Sequence, residues 1–366
     1  MKITCRQSTL VEKLDLVGKI ATKHVTLPVL QCVLIDATVE RVVLKATNLE
    51  IAAEVTVPDV VVEEAGTVAV PAAVLVQIIQ QLKNDSVTLI KNEQGVLEVV
   101  TKHTATTINP IPHDEFPSIP KSSGGTTTIN GKQFALGIKT TAVAASQSSI
   151  KPELGSVYIQ QVKEHTLTFV STDSFRLMEK SVAQKGVSLE QSILIPQKNA
   201  LELARFCELL KADPVLQMNE NQCALQFDDQ VYVTTRLVSG SFPDYNAIIP
   251  KEFSTYSTIL KQDLVVALKK TNIFLNKFRQ VRLSVRSTEM SISAHNNDIG
   301  TITDTISAQT TGDDLELSFN QQYLNDVLSY IQDDSLYLQF AGVGRPLIIT
   351  GKNDNTLRYL VMPMNK

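Results

Sequence analysis

Residues Ser192–Leu210 read S-I-L-I-P-Q-K-N-A-L-E-L-A-R-F-C-E-L-L and predict a short strand, a proline and an amphipathic helix. The apolar residues Ile193–Ile195 form the strand, and Pro196 ends it because proline has no N–H to donate to a ladder. In the helix, apolar residues recur every three or four positions and charged residues occupy the opposite face. We expect the buried face to consist of Leu201, Leu203, Ala204, Phe206, Cys207 and Leu210.

This strand–proline–helix unit occurs three times. It stands earlier as V-A-V-P-A-A-V-L-V-Q-I-I-Q-Q-L at Val68–Leu82 and later as L-E-L-S-F-N-Q-Q-Y-L-N-D-V-L-S-Y-I at Leu315–Ile331, with Pro71 and Asn320 in the place of Pro196. A period of about 125 residues has the length of a domain rather than of a solenoid repeat. The pattern predicts one fold written three times.

Each third also begins alike, with a short strand that feeds a helix of about three turns. Thr9 and Glu12 fit a capping box at the start of the first of these helices. The strands align on Ile3, Ile129 and Ile259, and the helices are predicted at Thr9–Ile20, Gln133–Val143 and Asp263–Thr271.

A pair of strands follows each first helix, then a further strand, the proline–helix unit and three alternating strands. The predicted pairs are Val33–Val39 with Val42–Thr47, Val157–Gln161 with Leu167–Thr172, and Val281–Val285 with Met290–Ala294. The fold class is therefore α+β, in three tandem copies of a domain with two helices on one face of antiparallel sheet. Proline-rich joints place these domains at residues 1–121, 127–247 and 253–366.

The composition of the 366 residues suits three small cores rich in strands, with 43% hydrophobic but only 5% aromatic residues. No apolar run reaches the ~20 residues of a membrane span, and the first residues predict a strand rather than a signal peptide. Four cysteines without C-x-x-C spacing suggest buried free thiols in a reducing compartment. We expect a cytoplasmic protein without a membrane partner.

No group of residues indicates catalysis, a metal or a cofactor. The five histidines are scattered, and no nucleophile stands beside a base. Carboxylate pairs such as Asp228-Asp229, Asp313-Asp314 and Asp333-Asp334 fit solvated turns better than metal sites. Gly342-Val343-Gly344 lacks the Lys and Ser/Thr of a phosphate loop. Without a nucleotide site, the chain has no energy source of its own for a conformational cycle.

Basic residues recur on or beside the predicted helices although the net charge is −4. For each of them, an ordinary solvated helix face remains an open interpretation. A sequence-specific DNA-binding protein would show a stronger basic footprint and a recognition helix. The moderate charge instead fits weak, diffuse attraction to nucleic acid.

Three separated motifs, together with the threefold repeat, carry a family resemblance. They are Thr172-Asp173-Ser174-Phe175-Arg176-Leu177, Phe242-Pro243-Asp244-Tyr245 and the terminal Tyr359-Leu360-Val361-Met362-Pro363-Met364. Together they resemble the bacterial β sliding clamp family, the β subunits of DNA polymerase III, over the whole chain. The resemblance implies a non-catalytic processivity factor: a head-to-tail homodimeric ring that encircles double-stranded DNA topologically and independently of its sequence.

The resemblance also implies partners and sites. The partners are the replicative DNA polymerase, an ATP-driven clamp loader and other proteins of replication and repair that carry a clamp-binding motif. A peptide-binding pocket between the second and third domains is expected at Leu154, Thr172, Phe175, Arg176, Leu177, Pro243, Ile248, Asn320, Tyr323, Leu360, Val361, Met362, Pro363 and Met364. Phe175 and Ser174 differ from many relatives, which suggests altered selectivity. The residues expected to face DNA are Lys13, Lys19, Lys23, His24, Lys132, Lys139, Lys198, Arg205, Lys269 and Lys270.

The subunit interface is expected at unpaired strand edges, because exposed edges invite pairing. Strand Thr104–Ile108 should pair with an edge of the third domain in the other subunit. The residues expected there are Thr104, Thr106, Ile108, Ile273 and Phe274.

Two other classes of function remain open from the residues alone. One is a repeat protein that serves only as an assembly scaffold, and the other is an enzyme with an unrecognised carboxylate site. Retention on circular but not on linear DNA distinguishes a clamp from both.

Overall fold

The computed structural model describes residues 1–24, 26–83, 86–148 and 150–364. Within them, one order of elements occurs three times: strand, helix, three strands, a strand leading into a second helix, and three closing strands. The first third carries one additional strand, β5. The predicted threefold repeat is thus present in the secondary structure.

The elements of the first third are β1 (Lys2–Arg6), α1 (Gln7–Gly18), β2 (Cys32–Ala37), β3 (Val42–Thr47), β4 (Ile51–Val57), β5 (Val61–Glu64), β6 (Gly66–Pro71), α2 (Ala72–Gln81), β7 (Ser86–Lys91), β8 (Leu97–Val100) and β9 (Ala105–Ile108). Those of the middle third are β10 (Gly125–Thr128), α3 (Gly131–Thr141), β11 (Ser156–Lys163), β12 (Thr166–Thr172), β13 (Arg176–Ala183), β14 (Ile193–Pro196), α4 (Gln197–Leu210), β15 (Val215–Met218), β16 (Gln222–Phe227) and β17 (Val231–Arg236). Those of the last third are β18 (Thr255–Leu260), α5 (Lys261–Thr271), β19 (Gln280–Val285), β20 (Glu289–Asn296), β21 (Gly300–Gly312), β22 (Leu315–Asn320), α6 (Gln321–Leu328), β23 (Ser335–Phe340), β24 (Leu347–Gly351) and β25 (Leu357–Val361).

The strands form antiparallel sheets that run across the sequence repeats. One sheet has the order β10-β15-β16-β17-β4-β3-β2-β6, so β17 of the middle third pairs with β4 of the first. Another has the order β14-β11-β12-β13-β25-β24-β23-β18-β21-β20-β19-β22, so β13 of the middle third pairs with β25 of the last. A third sheet, β5-β1-β7-β8-β9, ends in β9.

Two compact units follow from this pairing. Unit one contains Met1–Ala135 and Leu201–Leu237, and unit two contains Leu136–Ala200 and the chain from Val238 onward. Each unit therefore holds one complete strand joint between thirds, β4–β17 in unit one and β13–β25 in unit two. The alternation of apolar residues predicts the strands, but it does not specify this choice of partner.

Residue pairing also fixes which positions are equivalent in the three repeats. Pro71, Pro196 and Asn320 directly precede the second helices, as the sequence predicts, and they pair with Cys32, Ser156 and Gln280. In each third, the ladder partners can be followed from these pairs through the next two strands. The residues reached at the same step are equivalent, and they include Ile51, Arg176 and Gly300. The same procedure on the closing strands makes Ile108, Thr235 and Val361 equivalent.

The first helix of each third begins two residues earlier than predicted. Arg6 precedes α1 in an extended conformation and makes no side-chain capping bond, so the predicted capping box of Thr9 and Glu12 is wrong. Because α1 starts at Gln7, the equivalent of Ile129 and Ile259 is Cys5, which lies on the same face of its strand as Ile3. β1 and β18 run directly into α1 and α5, which have no side-chain cap, whereas Asn130 caps α3 by accepting from Gln133 N at 2.9 Å.

The pairs of helices lie side by side within the units. Gln7 Nε2 in α1 donates to the carbonyl of Ile79 in α2 at 2.7 Å, and Gln321 Nε2 in α6 donates to the carbonyl of Leu268 in α5 at 3.1 Å. In unit two, Leu268 and Leu324 join the strand residue Ile349 in one hydrophobic core. The two helices therefore cover one face of the sheet there.

The buried face of α4 is narrower than predicted. Leu203, Ala204, Phe206 and Cys207 are buried, whereas Leu201 is 38% exposed. Leu210, at the helix end, is half-buried. No helix among the described residues has the length and apolar character needed to cross a membrane.

All four cysteines are buried free thiols, as predicted. Burial raises the pKa of Cys5 and Cys32 to about 11 and that of Cys207 and Cys223 to about 12. At neutral pH these thiols are protonated and act as small apolar side chains.

Candidate functional site

The candidate peptide site of unit two is built on the joint between β13 and β25. Leu177 lies opposite Leu360, and Met178 lies opposite Tyr359. Because side chains alternate across a strand, these two pairs point to opposite faces of the sheet. Leu177 and Leu360 join one apolar cluster, while Met178, Tyr359 and Val361 join the core beneath α5 and α6.

The face that carries Leu177 and Leu360 presents partly exposed apolar side chains. We call it the Met362 surface and define it by the half-buried residues Tyr158, Phe242, Ile249, Phe253 and Met362, which pack on the cluster of Val170, Leu177, Tyr245, Ile348 and Leu360. Phe242 stacks on Tyr158 with ring centroids 4.8 Å apart and planes 2° from parallel. Exposed apolar surface of this kind suits a short peptide with aliphatic or aromatic side chains.

Phe175 extends the Met362 surface and is 61% exposed. Its backbone is held on both sides, since Phe175 N donates to Asp173 Oδ1 at 3.0 Å and Phe175 O accepts from Met362 N at 2.8 Å. Ile248, at the end of a short 3-10 helix, is 53% exposed. Both residues leave apolar area to solvent.

Arg176 lies on the opposite face and is engaged within the chain. Nε donates to Asp173 Oδ2 at 2.9 Å, Nη1 to Asp326 Oδ2 at 2.6 Å and Nη2 to the carbonyl of Val143 at 2.8 Å. The guanidinium also lies 4.3 Å from the centroid of the Tyr323 ring. With all three nitrogens occupied and 9% of the residue exposed, Arg176 organises the site instead of offering donors to a ligand.

Some of the other predicted pocket residues are partly exposed, and others are buried beneath the surface. Met362, Pro363 and Met364 are half-buried, and Met364 N donates to the carbonyl of Ser318 in β22 at 2.8 Å. Asn320 caps α6 by accepting from Gln322 N, so its amide oxygen is already used. The buried supporting residues are Leu154, Thr172, Leu177, Leu360 and Val361.

Sequence reasoning missed the aromatic part of this surface. Tyr158 and Tyr245 lie beside Phe242, and Gln160 Nε2 donates to the Tyr245 hydroxyl at 2.9 Å. Burial raises the pKa of Tyr245, and the nearby Glu179 carboxylate raises it further. The alternation of β11 placed Tyr158 on one face of the strand, but no sequence signal connected it with the Phe-Pro-Asp-Tyr motif.

The predicted DNA-facing residues lie on or beside helices, and several of them, among them Arg205, Lys270 and His24, have partners in the chain. Arg205 pairs with Glu202 and donates to the carbonyls of Asp15 and Leu16 at 2.8 Å, so it joins α4 to the end of α1 within unit one. Lys270 pairs with Asp304 at 2.9 Å. Lys13 is half-buried, and the exposed residues of this set are Lys19, Lys23, His24, Lys132, Lys139, Lys198, Lys269 and Lys270.

The predicted interface residues lie in two places. Ala105–Ile108 form β9, which follows Thr104, and Ile108 is 4% exposed. In the last third, Ile273 is 68% exposed and Phe274 is half-buried on its core. These two groups belong to different units of the chain.

The carboxylate pairs do not form a metal site. Among residues 1–24, 26–83, 86–148 and 150–364, no group of three or more His, Cys, Asp or Glu side chains is placed to hold a metal ion. Asp333 Oδ2 accepts from the backbone N–H groups of Asn353 and Asp354, as a turn carboxylate does. The Asp333 carboxylate therefore stabilises a turn.

Comparison with known proteins identifies the family. Models of the three domains of the DNA polymerase III beta subunit match in order: the N-terminal domain at residues 1–120, the central domain at 128–244 and the C-terminal domain at 246–365. A beta sliding clamp of Staphylococcus aureus is 26% identical over 375 residues, covering 100% of this chain and 99% of the relative. One of Pseudomonas putida is 28% identical over 371 residues and covers 100% of both chains.

Solved structures share the fold over the whole length. The DNA polymerase III beta subunit of Thermotoga maritima superposes with a TM-score of 0.94 at 23% identity, covering 100% of this chain and 99% of that one. The beta subunit of Pseudomonas aeruginosa gives a TM-score of 0.91 at 26% identity, with 100% of both chains covered. Because the Thermotoga maritima protein is only 23% identical, its similarity supports the fold alone.

A threefold α+β repeat with cross-repeat strand joints is the fold of the DNA sliding clamps. The chain belongs to the DNA polymerase III beta subunit family. It is a processivity factor of DNA replication, a non-catalytic member of a family of sliding clamps. The interpretations as an unrelated scaffold or as a carboxylate enzyme are therefore set aside.

Proposed function

We propose that two copies of this chain close head to tail into a ring around duplex DNA, with clamp domains at residues 1–121, 127–247 and 253–366. The observation that supports the proposal is the repeated strand joint, β4 with β17 and β13 with β25. In the repeat, β21 is the counterpart of β4 and β13, and β9 is the counterpart of β17 and β25. β9 ends its sheet, and residues 300–307 of β21 pair on one side with β20. Two such free edges on different copies offer a third joint.

The repeat also gives the register of the proposed joint. Ile51 pairs with Thr235 and Arg176 with Val361, and the equivalent residues are Gly300 and Ile108. Ile108 of one copy should therefore lie opposite Gly300 of the other, with Thr106 opposite Ile302 and Thr104 opposite Asp304. A Cβ at Gly300 would lie 3.8 Å from the Phe274 ring, which supports the expected closeness of Ile108 to Phe274.

Thr107→Pro tests this joint. Thr101 N donates to the carbonyl of Thr104 across the β8–β9 turn, so the N–H groups of Thr106 and Ile108 bond to β8 and that of Thr107 points to the free edge. Proline there removes an outward donor and spares the ladder inside the chain. We expect the dimer dissociation constant to rise about tenfold or more, measured by sedimentation.

Thr107→Ala is the matched control, because it changes the side chain and keeps the N–H. It should sediment as the unchanged protein does. Equal dimer strength in Thr107→Pro and Thr107→Ala would refute pairing through β9. Charged substitutions at Ile108 are less informative, because this side chain is buried in its own domain.

Topological binding to DNA follows from ring closure. Bound phosphates lose affinity with a log–log salt slope of about −0.9 per phosphate, whereas a threaded ring leaves only when it opens or when the DNA has an end. We expect retention on nicked circular DNA at high salt and release on linearisation, with early loss in Thr107→Pro. Release from intact circles while the dimer persists would contradict threading. The exposed lysines then supply only diffuse attraction.

The Met362 surface is proposed to bind short motifs of the replicative polymerase and of other DNA-processing proteins. Two or three apolar anchors that bury about 300 Å² contribute about 7 kcal/mol at roughly 25 cal/mol/Å². The ordering of the peptide costs several kcal/mol in return, and backbone hydrogen bonds contribute, so we expect micromolar affinity. Such affinity allows one partner to replace another on a single clamp.

Loading onto DNA requires a partner with its own energy source. We propose an ATP-driven clamp loader for this role, because the sequence contains no phosphate-binding loop. The proposed location is the cytoplasm, where bacterial DNA and its polymerase are found. The protonated, buried thiols fit that reducing compartment.

A further inference from the structure

A polar cleft lies on the sheet of the last third, at β19, β20 and β21. It has a volume of about 430 Å³ and is lined by Asn276, Gln280, Arg282, Ser293, Ala294, His295, Thr301 and Thr303. All of these residues belong to unit two, and none of them is part of the Met362 surface. We call it the Arg282 cleft.

The repeat shows what lies at the equivalent place in the other two domains. Two residues after Cys32, Ser156 and Gln280 stand Leu34, Tyr158 and Arg282, which are therefore equivalent. In the first domain, Phe116 from the following linker packs on the cluster that contains Leu34. In the middle domain, Phe242 from the following linker stacks on Tyr158. A linker segment thus covers this position twice.

In the last third, none of the described residues packs as Phe116 and Phe242 do on the equivalent position. The Arg282 side chain is 57% exposed, and the segment after β25 reaches the carbonyl of Ser318 in β22 at Met364. The Arg282 cleft is therefore the place where the other two domains hold a piece of linker and this domain holds none of the described residues. By analogy with the other two domains, we expect the cleft to accept a segment of chain.

The charge of the residues that line the cleft indicates what kind of peptide segment it can bind. Its ionisable lining residues are Arg282 and His295, and no Asp or Glu lines it. Arg282 has one carboxylate partner, Glu316 at 2.9 Å, and both side chains are more than half exposed. An exposed pair of this kind exchanges readily, because it contributes little to stability.

The Ser293 and Thr303 hydroxyls can supply further hydrogen bonds to a ligand. Ser293 lies opposite Thr303 in the ladder, and His295 Nε2 donates to Asn297 Oδ1 at 2.8 Å while Nδ1 lies 2.7 Å from Thr301 Oγ1. His295 and Thr301 are thus engaged with each other, and the Ser293 and Thr303 hydroxyls suit carboxylates and polar side chains. They do not suit the apolar anchors expected on the Met362 surface.

We propose that the Arg282 cleft binds an extended acidic segment of a partner protein and that a second copy of the chain completes it. This inference rests on the proposed head-to-tail dimer. In the register given above, Thr301 lies opposite Thr107 of the second copy, and Thr303 lies opposite its Ala105. The β9 strand of that copy then forms the far wall of the cleft, so the site is complete only in the closed dimer.

The test uses a fluorescent peptide of alternating Glu and Ser, with its anisotropy measured against the full-length protein at low salt. We expect saturable binding that Arg282→Glu weakens about tenfold or more, because the substitution replaces attraction by repulsion. Arg286→Glu is the matched control, since Arg286 is a half-exposed arginine of the same region that pairs with Asp314 outside the cleft. It should change the affinity less than twofold.

Thr107→Pro separates this inference from the proposed dimer. Sedimentation reports the dimer independently of the peptide. A protein that is dimeric and binds no acidic peptide refutes the Arg282 cleft and leaves the ring intact, as does equal weakening by Arg282→Glu and Arg286→Glu. Undiminished peptide binding by a monomeric Thr107→Pro protein refutes completion by the second copy.

Discussion

The two strand joints of the chain share one backbone arrangement and differ in chemistry. On one face of β13–β25, unit two carries Val170, Leu177 and Leu360 in an apolar cluster. The equivalent positions of β4–β17 in unit one are Lys45, Ala52 and Thr234. Lys45 pairs there with Asp36 at 2.8 Å, and the surrounding cleft is lined mainly by polar residues.

The difference shows that main-chain hydrogen bonds carry the joint and leave the outward side chains free to vary. Phe175 and Met362 in unit two correspond to Glu50 and Arg236 in unit one, so a partly exposed apolar pair is matched by a charged pair. The fold therefore supplies equivalent platforms, and the side chains decide which of them can bind an apolar peptide.

The largest expected effect separates these two platforms. Met362→Ala with Met364→Ala, or deletion of the last five residues, should weaken binding of a labelled Gln-Leu-x-Leu-Phe peptide about a hundredfold or more, because two buried contacts worth about 1.5–3 kcal/mol each are lost. Fluorescence anisotropy measures this. Arg236→Ala, the substitution at the equivalent position in unit one, should leave the affinity unchanged. If both variants weakened peptide binding equally, the peptide would not bind specifically at the Met362 surface.

A smaller effect concerns the support beneath the Met362 surface. Arg176→Ala leaves the Asp173 and Asp326 carboxylates, which are 14% and 17% exposed, without their shared partner. We expect a loss of about 3 kcal/mol in the free energy of unfolding of unit two, measured by urea titration. Arg286→Ala, at a half-exposed pair, should cost about 0.5 kcal/mol or less. A similar cost for both variants would mean that Arg176 is not an organising residue.

The smallest expected effect is a difference between the units in how their stability depends on pH, and it arises from the cysteine thiols. All four cysteines lie in unit one, and their folded pKa values of about 11 and about 12 exceed the unfolded value of about 8.5. A raised pKa means tighter proton binding in the folded state, so this stabilisation is complete below pH ~8.5 and is lost as the pH rises towards the folded values. Unit one should therefore weaken between pH ~8.5 and ~10.

Unit two should resist over that range. Burial raises the pKa of its Tyr245 and Tyr359 above the usual value of about 10, so its losses begin only at higher pH. Hydrogen exchange at pH 7.5 and 9.5, corrected for intrinsic rates, compares peptides of the two units. A variant with all four cysteines replaced by alanine should lose the pH dependence in unit one. Equal loosening of both units would show that the thiols do not cause it.

The sequence predicts the order of elements well because each signal is local. The Pro or Asn before each second helix and the alternation of the strands require no knowledge of the partner strand. The starts of α1 and α5 were misplaced because no side-chain cap marks them and the strand continues into the helix, while the capping role of Asn130 at the start of α3 was not recognised. Leu201 follows the helical period of the buried face, yet 38% of it is exposed, because periodicity does not show how much of a helix face its neighbours cover.

Contacts distant in sequence account for what was missed at the candidate site. Arg176 and Leu177 are adjacent in a motif, but alternation sends the guanidinium inward to Asp326, which is 150 positions away. The stacking of Phe242 on Tyr158 depends likewise on how a linker returns to its domain. Such pairings are set by tertiary structure, and a periodic pattern does not contain them.

The continuity of the sheets across the repeats limits how the polypeptide can be dissected. A fragment cut at the end of the first repeat exposes the whole edge of β4 and becomes prone to aggregation. A cut between the compact units instead severs α3 after Ala135 and α4 after Ala200. Labels and inserted modules are better placed in an exposed hairpin such as Asp228–Gln230, where the two flanking strands stay within one sheet.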